Sequence, residues 1–170
     1  MKHSQIAYTK NIGFNNNNNN HKLNEIGLNN AYNNANKVHV QGDTLFVAGT
    51  SNLKDAYDDV SKIPFYGDIK NSTRYNQAKN VLDANPNINK LVGHSLGGWA
   101  ILQLQKDNSK YHTTKYGAPV VQLNPFVTGN RYRFKNDPIS MLDNGAITVN
   151  KFNLNPHSYS NYELFFFFFE

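Results

Sequence analysis

Two apolar segments separated by a glycine-rich turn lie near the middle of the chain. Ile88–Val92 has the short apolar pattern of a buried strand, and Leu96–Leu104 is apolar nearly all round, as in a helix packed under a sheet. The turn between them has the pattern Gly93-x-Ser95-x-Gly97. This order predicts a strand that leads directly into a helix, which is the repeating unit of an α/β fold.

Further strands and helices are predicted on both sides of this unit. The β-prone runs Val38–Gln41 and Thr44–Ala48 are joined by Gly42-Asp43, which is typical of a hairpin. Helical spacing is found over Leu53–Ile63 and over Ser72–Ala84, where Asn71 or Ser72 is the predicted N-cap, and strand patterns are found over Tyr111–Tyr116, Arg131–Phe134 and Ala146–Phe152. Strands that alternate with helices predict a mostly parallel sheet flanked by helices.

Asparagine occupies 29 of the 170 positions and is concentrated near the N-terminus, with an unbroken run over 15–20. So polar a tract does not bury enough apolar surface to offset the entropy of ordering it. We therefore expect residues 1–36 to form a flexible tail or an arm draped over the surface, unless a partner orders them. One domain is expected over 37–164, and a phenylalanine-rich tail over 165–170. The apolar run that ends the chain either docks on the domain or touches lipid, and the rarity of exposed apolar patches favours docking.

Composition excludes several classes of protein. No apolar run approaches the roughly 20 residues that span a bilayer, and the first ten residues lack the apolar core of a signal peptide, so we expect an intracellular protein. The absence of cysteine excludes disulfides, thiolate metal sites and a cysteine nucleophile.

The net charge of +5 comes from scattered lysines and one closer group of cations. Arg131, Arg133 and Lys135 alternate along a predicted strand, which puts them on one face. That face is either solvated or able to attract an anionic surface such as a membrane. We expect no nucleic-acid partner.

The glycine-flanked turn has the pattern of a nucleophile elbow, in which a serine lies on a strained turn between strand and helix. Residues without Cβ fit best two positions before and after the serine, because backbone passes close there. The hydroxyl of Ser95 then lies at the carboxyl end of the strand, close to a helix N-terminus that favours developing negative charge. The alternative is a glycine-rich turn with an ordinary serine.

A serine nucleophile needs a base and an acid, which in this fold follow it in the order serine, acid, histidine. Only His112 and His157 follow Ser95, and His157 is favoured because it lies in a polar loop after the last strand. Asp137 at the end of a predicted strand is the candidate acid, and Asp143 is the alternative. Asp137 precedes a proline and is also a candidate turn residue. We expect the side chain of His94 to point away from Ser95.

An oxyanion hole needs two hydrogen-bond donors. The backbone N–H of Leu96, directly after the serine, is one. The strand Thr44–Ala48 is followed by Gly49-Thr50-Ser51, where Gly49 permits close approach and Thr50 offers both an N–H and a hydroxyl. We therefore predict Thr50 as the second donor.

Taken together, these segments resemble the class 3 lipase family of α/β-hydrolases. The resemblance covers about residues 38–162 and rests on an ordered set of motifs: Leu45–Thr50 followed by Asp55 and Asp58-Asp59, Gly93–Gly98, Tyr116–Val120, Asn136–Ile139, and His157–Tyr159 with Tyr162. It implies a minimal α/β-hydrolase-type fold with a nucleophile, an acid and a base, namely Ser95, Asp137 and His157. It also implies oxyanion donors at Thr50 and Leu96. The spacings are compact, and Pro64–Tyr75 is the one candidate for a short flap over the site.

The resemblance implies a lipase or esterase that cleaves carboxylic esters of lipids or small acyl substrates, with no cofactor or metal. Phe65, Trp99 and Phe126 are candidates for the substrate pocket, although Trp99 equally fits a residue that packs helix against sheet. An acyltransferase, or a phospholipase in peripheral contact with anionic membranes, would use the same chemistry. The alternative from a different class is a catalytically inactive hydrolase fold retained as a structural or interaction module.

Overall fold

The computed structural model describes residues 19–50, 69–120, 129–141, 143–150 and 155–162. These residues form one six-stranded sheet and three helices of more than one turn. The elements in chain order are α1 (19–33), β1 (Val38–Gln41), β2 (Thr44–Val47), a short 3-10 helix (Ile69–Asn71), α2 (Thr73–Ala84), β3 (Lys90–His94), α3 (Leu96–Asp107), β4 (His112–Tyr116), β5 (Asn130–Phe134) and β6 (Ile147–Val149).

The strands lie in the sheet in the order of the sequence, β1-β2-β3-β4-β5-β6. β1 and β2 pair as an antiparallel hairpin, and every later pair is parallel. Parallel strands added in one direction, with right-handed connections, carry the connecting helices on the same face. Accordingly, α2 and α3 pack against each other on one face of the sheet. The predicted mostly parallel α/β sheet flanked by helices is confirmed.

Local sequence explains several of these elements. Gly42 adopts a left-handed conformation (φ 60°) in the predicted hairpin turn. Ser72 caps α2, because its hydroxyl accepts a hydrogen bond from the N–H of Tyr75 at 3.1 Å. The prediction of Ser72 as a candidate N-cap is confirmed.

Side chains of successive strand residues enter two different cores. Leu45, Val47 and Leu91 pack with α2 and α3 on one face. Phe46 and Val92 point to the other face, where they pack with α1. This period of two follows from strand geometry and explains why the central strands are apolar on both faces.

Residues 19–33 differ from the expected flexible arm. They form α1, in which Leu28 and Ala31 are 1% and 0% exposed and pack on Phe46. Gly27 permits this contact, because a Cβ there would lie 2.3 Å from the Phe46 ring. Asparagines occupy the solvent side of the helix, and its apolar residues form a short stripe at helical spacing. The average composition of the segment does not reveal this stripe.

Of the three cations predicted to share one solvated or anion-binding face, Arg131 is buried, Arg133 is half-buried and Lys135 is exposed. Arg131 is only 6% exposed, and its Nε lies 3.1 Å from a carboxylate oxygen of Asp143, which is 2% exposed. Lys115 on β4 is completely buried. Its Nζ donates to Gln105 and Thr113. Buried charge is tolerated because each group has polar partners inside the fold.

Some predicted segments lie outside the described residues. These are the helix over Leu53–Ile63, the end of the strand over Ala146–Phe152, the first 18 residues and the tail over 165–170. Among the helices that the structure describes, none combines the length and apolarity needed to cross a membrane.

If α1 belongs to the folded core, Leu28→Ala should lower the free energy of unfolding by about 2–4 kcal/mol, because it leaves a cavity against the sheet. The matched control is Leu23→Ala on the same helix, where the side chain is 51% exposed. The control should change stability by less than about 0.5 kcal/mol. Urea unfolding measures both, and equal effects would contradict the packing of α1.

Burial lowers the pKa of Lys115 from 10.5 to about 7, with the nearby Arg131 guanidinium adding to the effect. Between these pH values the unfolded chain holds a proton that the folded chain has lost, so stability should rise with pH. Relative to Lys115→Met, the wild-type protein should gain up to about 1.4 kcal/mol per pH unit from pH 7 to pH 10. Lys110→Met, at an exposed position, should retain the wild-type slope in the same unfolding series.

Candidate active site

Four loops that follow strands meet at one edge of the sheet. β2, β3, β5 and β6 are parallel, so their carboxyl ends lie at the same edge. The loops after them carry Thr50, Ser95, Asp137 and His157 in turn. Ligand sites of open α/β sheets form at this edge, because the loops there converge from several strands.

Ser95 lies between β3 and α3 with φ 53° and ψ −127°, a backbone conformation that costs energy for a residue with a Cβ. Serine at a helix N-cap usually bonds its hydroxyl to the backbone of the first turn. Ser95 makes no such bond. Its Oγ is therefore available for a partner outside the helix.

The glycines around Ser95 are required by close backbone contacts. A Cβ on Gly97 would lie 2.1 Å from the carbonyl oxygen of Val47, and a Cβ on Gly93 would lie 2.7 Å from the backbone of Gly97. Side chains at either position would push α3 away from the sheet. The sequence prediction that these two positions exclude a Cβ is confirmed.

His157 supplies the partner of the serine hydroxyl. Its Nε2 lies 2.8 Å from Ser95 Oγ, and its Nδ1 lies 3.0 Å from both carboxylate oxygens of Asp137. A carboxylate only accepts, so Nδ1 carries the proton and Nε2 accepts from the hydroxyl. The three side chains are 0–5% exposed and form one continuous hydrogen-bonded chain.

The carboxylate of Asp137 is held on both of its oxygens. Oδ1 accepts from the N–H of Ile139 at 2.9 Å, and Oδ2 accepts from the hydroxyl of Ser140 at 2.5 Å. The bond to Ile139 closes a turn through the intervening proline, so the predicted turn role and the contact with His157 coexist in one residue. These bonds hold the carboxylate in place beside the imidazole.

The alternative acid and base lie in other surroundings. Asp143 pairs with Arg131 and accepts from the N–H of Gly145, and burial raises its pKa. His112 is exposed at the amino end of β4, the edge of the sheet opposite Ser95. The structure therefore brings Asp137 and His157 to Ser95, and neither alternative.

The loop after β2 lies directly against the serine. A Cβ on Gly49 would lie 2.6 Å from Ser95 Cβ, and the carbonyl oxygen of Gly49 accepts from Arg74 Nη2 at 3.2 Å. Because C=O and N–H point in opposite directions across a trans peptide, this bond also fixes the direction of the Thr50 N–H. Within the described residues, the buried Thr50 hydroxyl has no hydrogen-bond partner. Leu96 begins α3, so its N–H has no acceptor within the helix.

Of the candidates for the substrate pocket, Trp99 alone lies in the described part of the chain. It is partly buried and packs on Ala118 and Val120, beyond the end of β4. This contact matches the packing role between helix and sheet that the sequence left open. Phe65 and Phe126 lie outside the described residues.

A separate cavity of about 480 Å³ opens at the opposite edge of the sheet, between α1 and the starts of the strands. Thr44, Lys90 and His112 are among its lining residues. Ser95, Asp137 and His157 do not line it. It is therefore distinct from the candidate active site.

Several residues around the site had no role in it assigned from the sequence. Tyr32 on α1 bonds to His94, and His94 bonds to the carbonyl oxygen of His157. Gly117 has a left-handed φ of 54°, and a Cβ there would lie 3.2–3.3 Å from Asp137 and His157. Gly117 has a recognisable sequence signal, because it is a glycine at the end of a predicted strand. Tyr32 has none, because it lies in an asparagine-rich segment.

Comparisons of the chain with protein-family models, with curated proteins and with solved structures find no match. Among the described residues, no group of three histidine, aspartate or glutamate side chains could hold a metal ion.

Proposed function

We propose that this protein is a serine hydrolase with a minimal α/β-hydrolase-type fold, similar to class 3 lipases, and that it cleaves carboxylic esters of lipids or small acyl substrates. Ser95 is the nucleophile, His157 the base and Asp137 the acid that orients the base. Since the comparisons find no match, the proposal rests on the residues and their geometry.

One observation carries the proposal: a serine hydroxyl in a left-handed turn, 2.8 Å from an imidazole whose other nitrogen faces a buried carboxylate at 3.0 Å. This arrangement allows His157 to remove the hydroxyl proton while Asp137 stabilises the cation that forms. An ordinary buried serine gains nothing from a strained backbone, whereas in a nucleophile elbow that turn presents the hydroxyl to the base.

In the proposed reaction, Ser95 Oγ bonds to the ester carbonyl carbon and its proton passes to His157 Nε2. The carbonyl oxygen becomes an oxyanion that accepts from the N–H groups of Thr50 and Leu96. Collapse of this intermediate breaks the ester bond, and the leaving alkoxide takes the proton from His157. Water then repeats the sequence on the acyl-enzyme, which releases the acid and regenerates Ser95.

The proposed oxyanion hole has support from three groups. The N-terminus of α3 directs partial positive charge toward the serine. Arg74 orients the peptide group that carries the Thr50 N–H, and the Thr50 hydroxyl, which has no partner among the described residues, adds a third donor. Donors held in place before the reaction stabilise the transition state without reorganisation.

Ser95→Ala should lower the turnover of a short p-nitrophenyl ester by at least about 10³-fold, because the nucleophile is lost. Ser160→Ala, which removes an exposed hydroxyl, is the matched control and should retain activity. A fluorophosphonate probe should label the wild-type protein and the control, and leave Ser95→Ala unlabelled. A folded wild-type protein that neither turns over nor labels would instead be the inactive structural module.

Asp137→Asn should lower kcat by roughly 10³–10⁴-fold with the fold intact, because an amide holds the imidazole in the wrong tautomer. Asp143→Asn is the control for loss of a buried carboxylate. It should lower the thermal midpoint by breaking the pair with Arg131, yet leave kcat per labelled site within about twofold. The reverse ranking of kcat would reassign the acid to Asp143.

A further inference from the structure

The hydroxyl of Tyr32 lies between two parts of the site that come from distant points of the sequence. The N–H of Gly49, in the loop after β2, lies 3.1 Å from Tyr32 Oη. His94 Nδ1, at the end of β3, lies 2.6 Å from the same oxygen. His94 Nε2 in turn lies 2.7 Å from the carbonyl oxygen of His157.

The direction of each hydrogen bond in the series from the Gly49 N–H to the His157 carbonyl oxygen follows from the groups at the two ends of the series. The carbonyl oxygen of His157 only accepts, so His94 Nε2 carries the proton and His94 Nδ1 accepts. Tyr32 therefore donates to His94, and the same oxygen accepts from Gly49. No member of the chain can reverse its role without breaking a bond.

Burial keeps both side chains in the form that this chain requires. Desolvation lowers the pKa of His94 well below its usual value, and the neighbouring His157 lowers it further. Desolvation raises the pKa of Tyr32 above its usual value. His94 is therefore a neutral imidazole and Tyr32 a neutral phenol at neutral pH, as the donor and acceptor assignments demand.

We propose that Tyr32 and His94 are positioning residues, which hold the backbone of His157 and the Gly49-Thr50 loop at fixed positions relative to Ser95. This inference rests on the proposed hydrolase function, since it names residues that act through the proposed base and oxyanion donor. It assigns a role in the site to α1, the asparagine-rich segment.

The hydroxyl and the ring of Tyr32 make different contacts. The ring stacks on Tyr159 at 4.8 Å between centroids and 11° between planes. Phenylalanine keeps that stacking and removes both hydrogen bonds, so Tyr32→Phe isolates the contribution of the hydroxyl. It leaves His94 Nδ1 and the N–H of Gly49 without their partner.

The test is the rate of fluorophosphonate labelling, measured together with its final stoichiometry. A displaced base or oxyanion donor slows the reaction of every molecule, whereas partial unfolding lowers the fraction that labels. Tyr32→Phe should react about tenfold more slowly and still reach full stoichiometry, because small displacements of reacting groups have large effects on rate. The turnover of a p-nitrophenyl ester should show the same loss in kcat, with KM within about twofold.

Tyr116→Phe is the matched control. The Tyr116 hydroxyl contacts His21 and Asn24 of α1 and so also joins this helix to the sheet, away from Tyr32. This variant should label at the wild-type rate. A second pair tests His94: glutamine retains a donor toward the His157 carbonyl, so His94→Gln should label faster than His94→Ala.

Three results would overturn the inference: a wild-type labelling rate in Tyr32→Phe, a wild-type rate with reduced stoichiometry, or an equal loss in Tyr116→Phe. If Tyr32→Phe does not fold, equal rates in the two His94 variants overturn it and faster labelling of His94→Gln supports it. Failure of the proposed function is distinguishable, because the wild-type protein itself would then not label, and the inference would fall with it.

Discussion

The left-handed backbone at Ser95 is the constraint on which the rest of the site depends. It turns the chain directly from β3 into α3 and leaves the hydroxyl 2.8 Å from His157 Nε2. The turn is possible only because Gly93 and Gly97 let backbone segments pass at distances that exclude a side chain. Close packing of β2, β3 and α3 compensates for the conformational cost at one residue.

Asp137 and Asp143 are each buried with polar partners rather than singly. Asp137 is shared among His157, Ser140 and a backbone N–H, and a second carboxylate, Asp143, is paired with Arg131. Such groups cost free energy when they lose a partner, so each set fixes the relative positions of the elements that supply it. Both aspartates are buried, and their partners distinguish them.

Much of the fold could be predicted because it depends on local patterns. The hairpin at Gly42, the cap at Ser72 and the strand-turn-helix unit around Ser95 each have a signal within a few residues. The burial of Arg131 and the packing of α1 could not be predicted, since they depend on partners from other segments of the chain. For the same reason the sequence offered two acids and two histidines, and only the three-dimensional arrangement separates Asp137 and His157 from the alternatives.

The position of α1 has a consequence for how the protein is handled. A low-complexity N-terminus is commonly trimmed to obtain a shorter, better-behaved polypeptide. A polypeptide that begins at residue 37 would lack α1, which covers Phe46 and Val92. It would therefore expose an apolar face of the sheet. The part of the chain that covers this face therefore includes α1, although its composition resembles that of a linker.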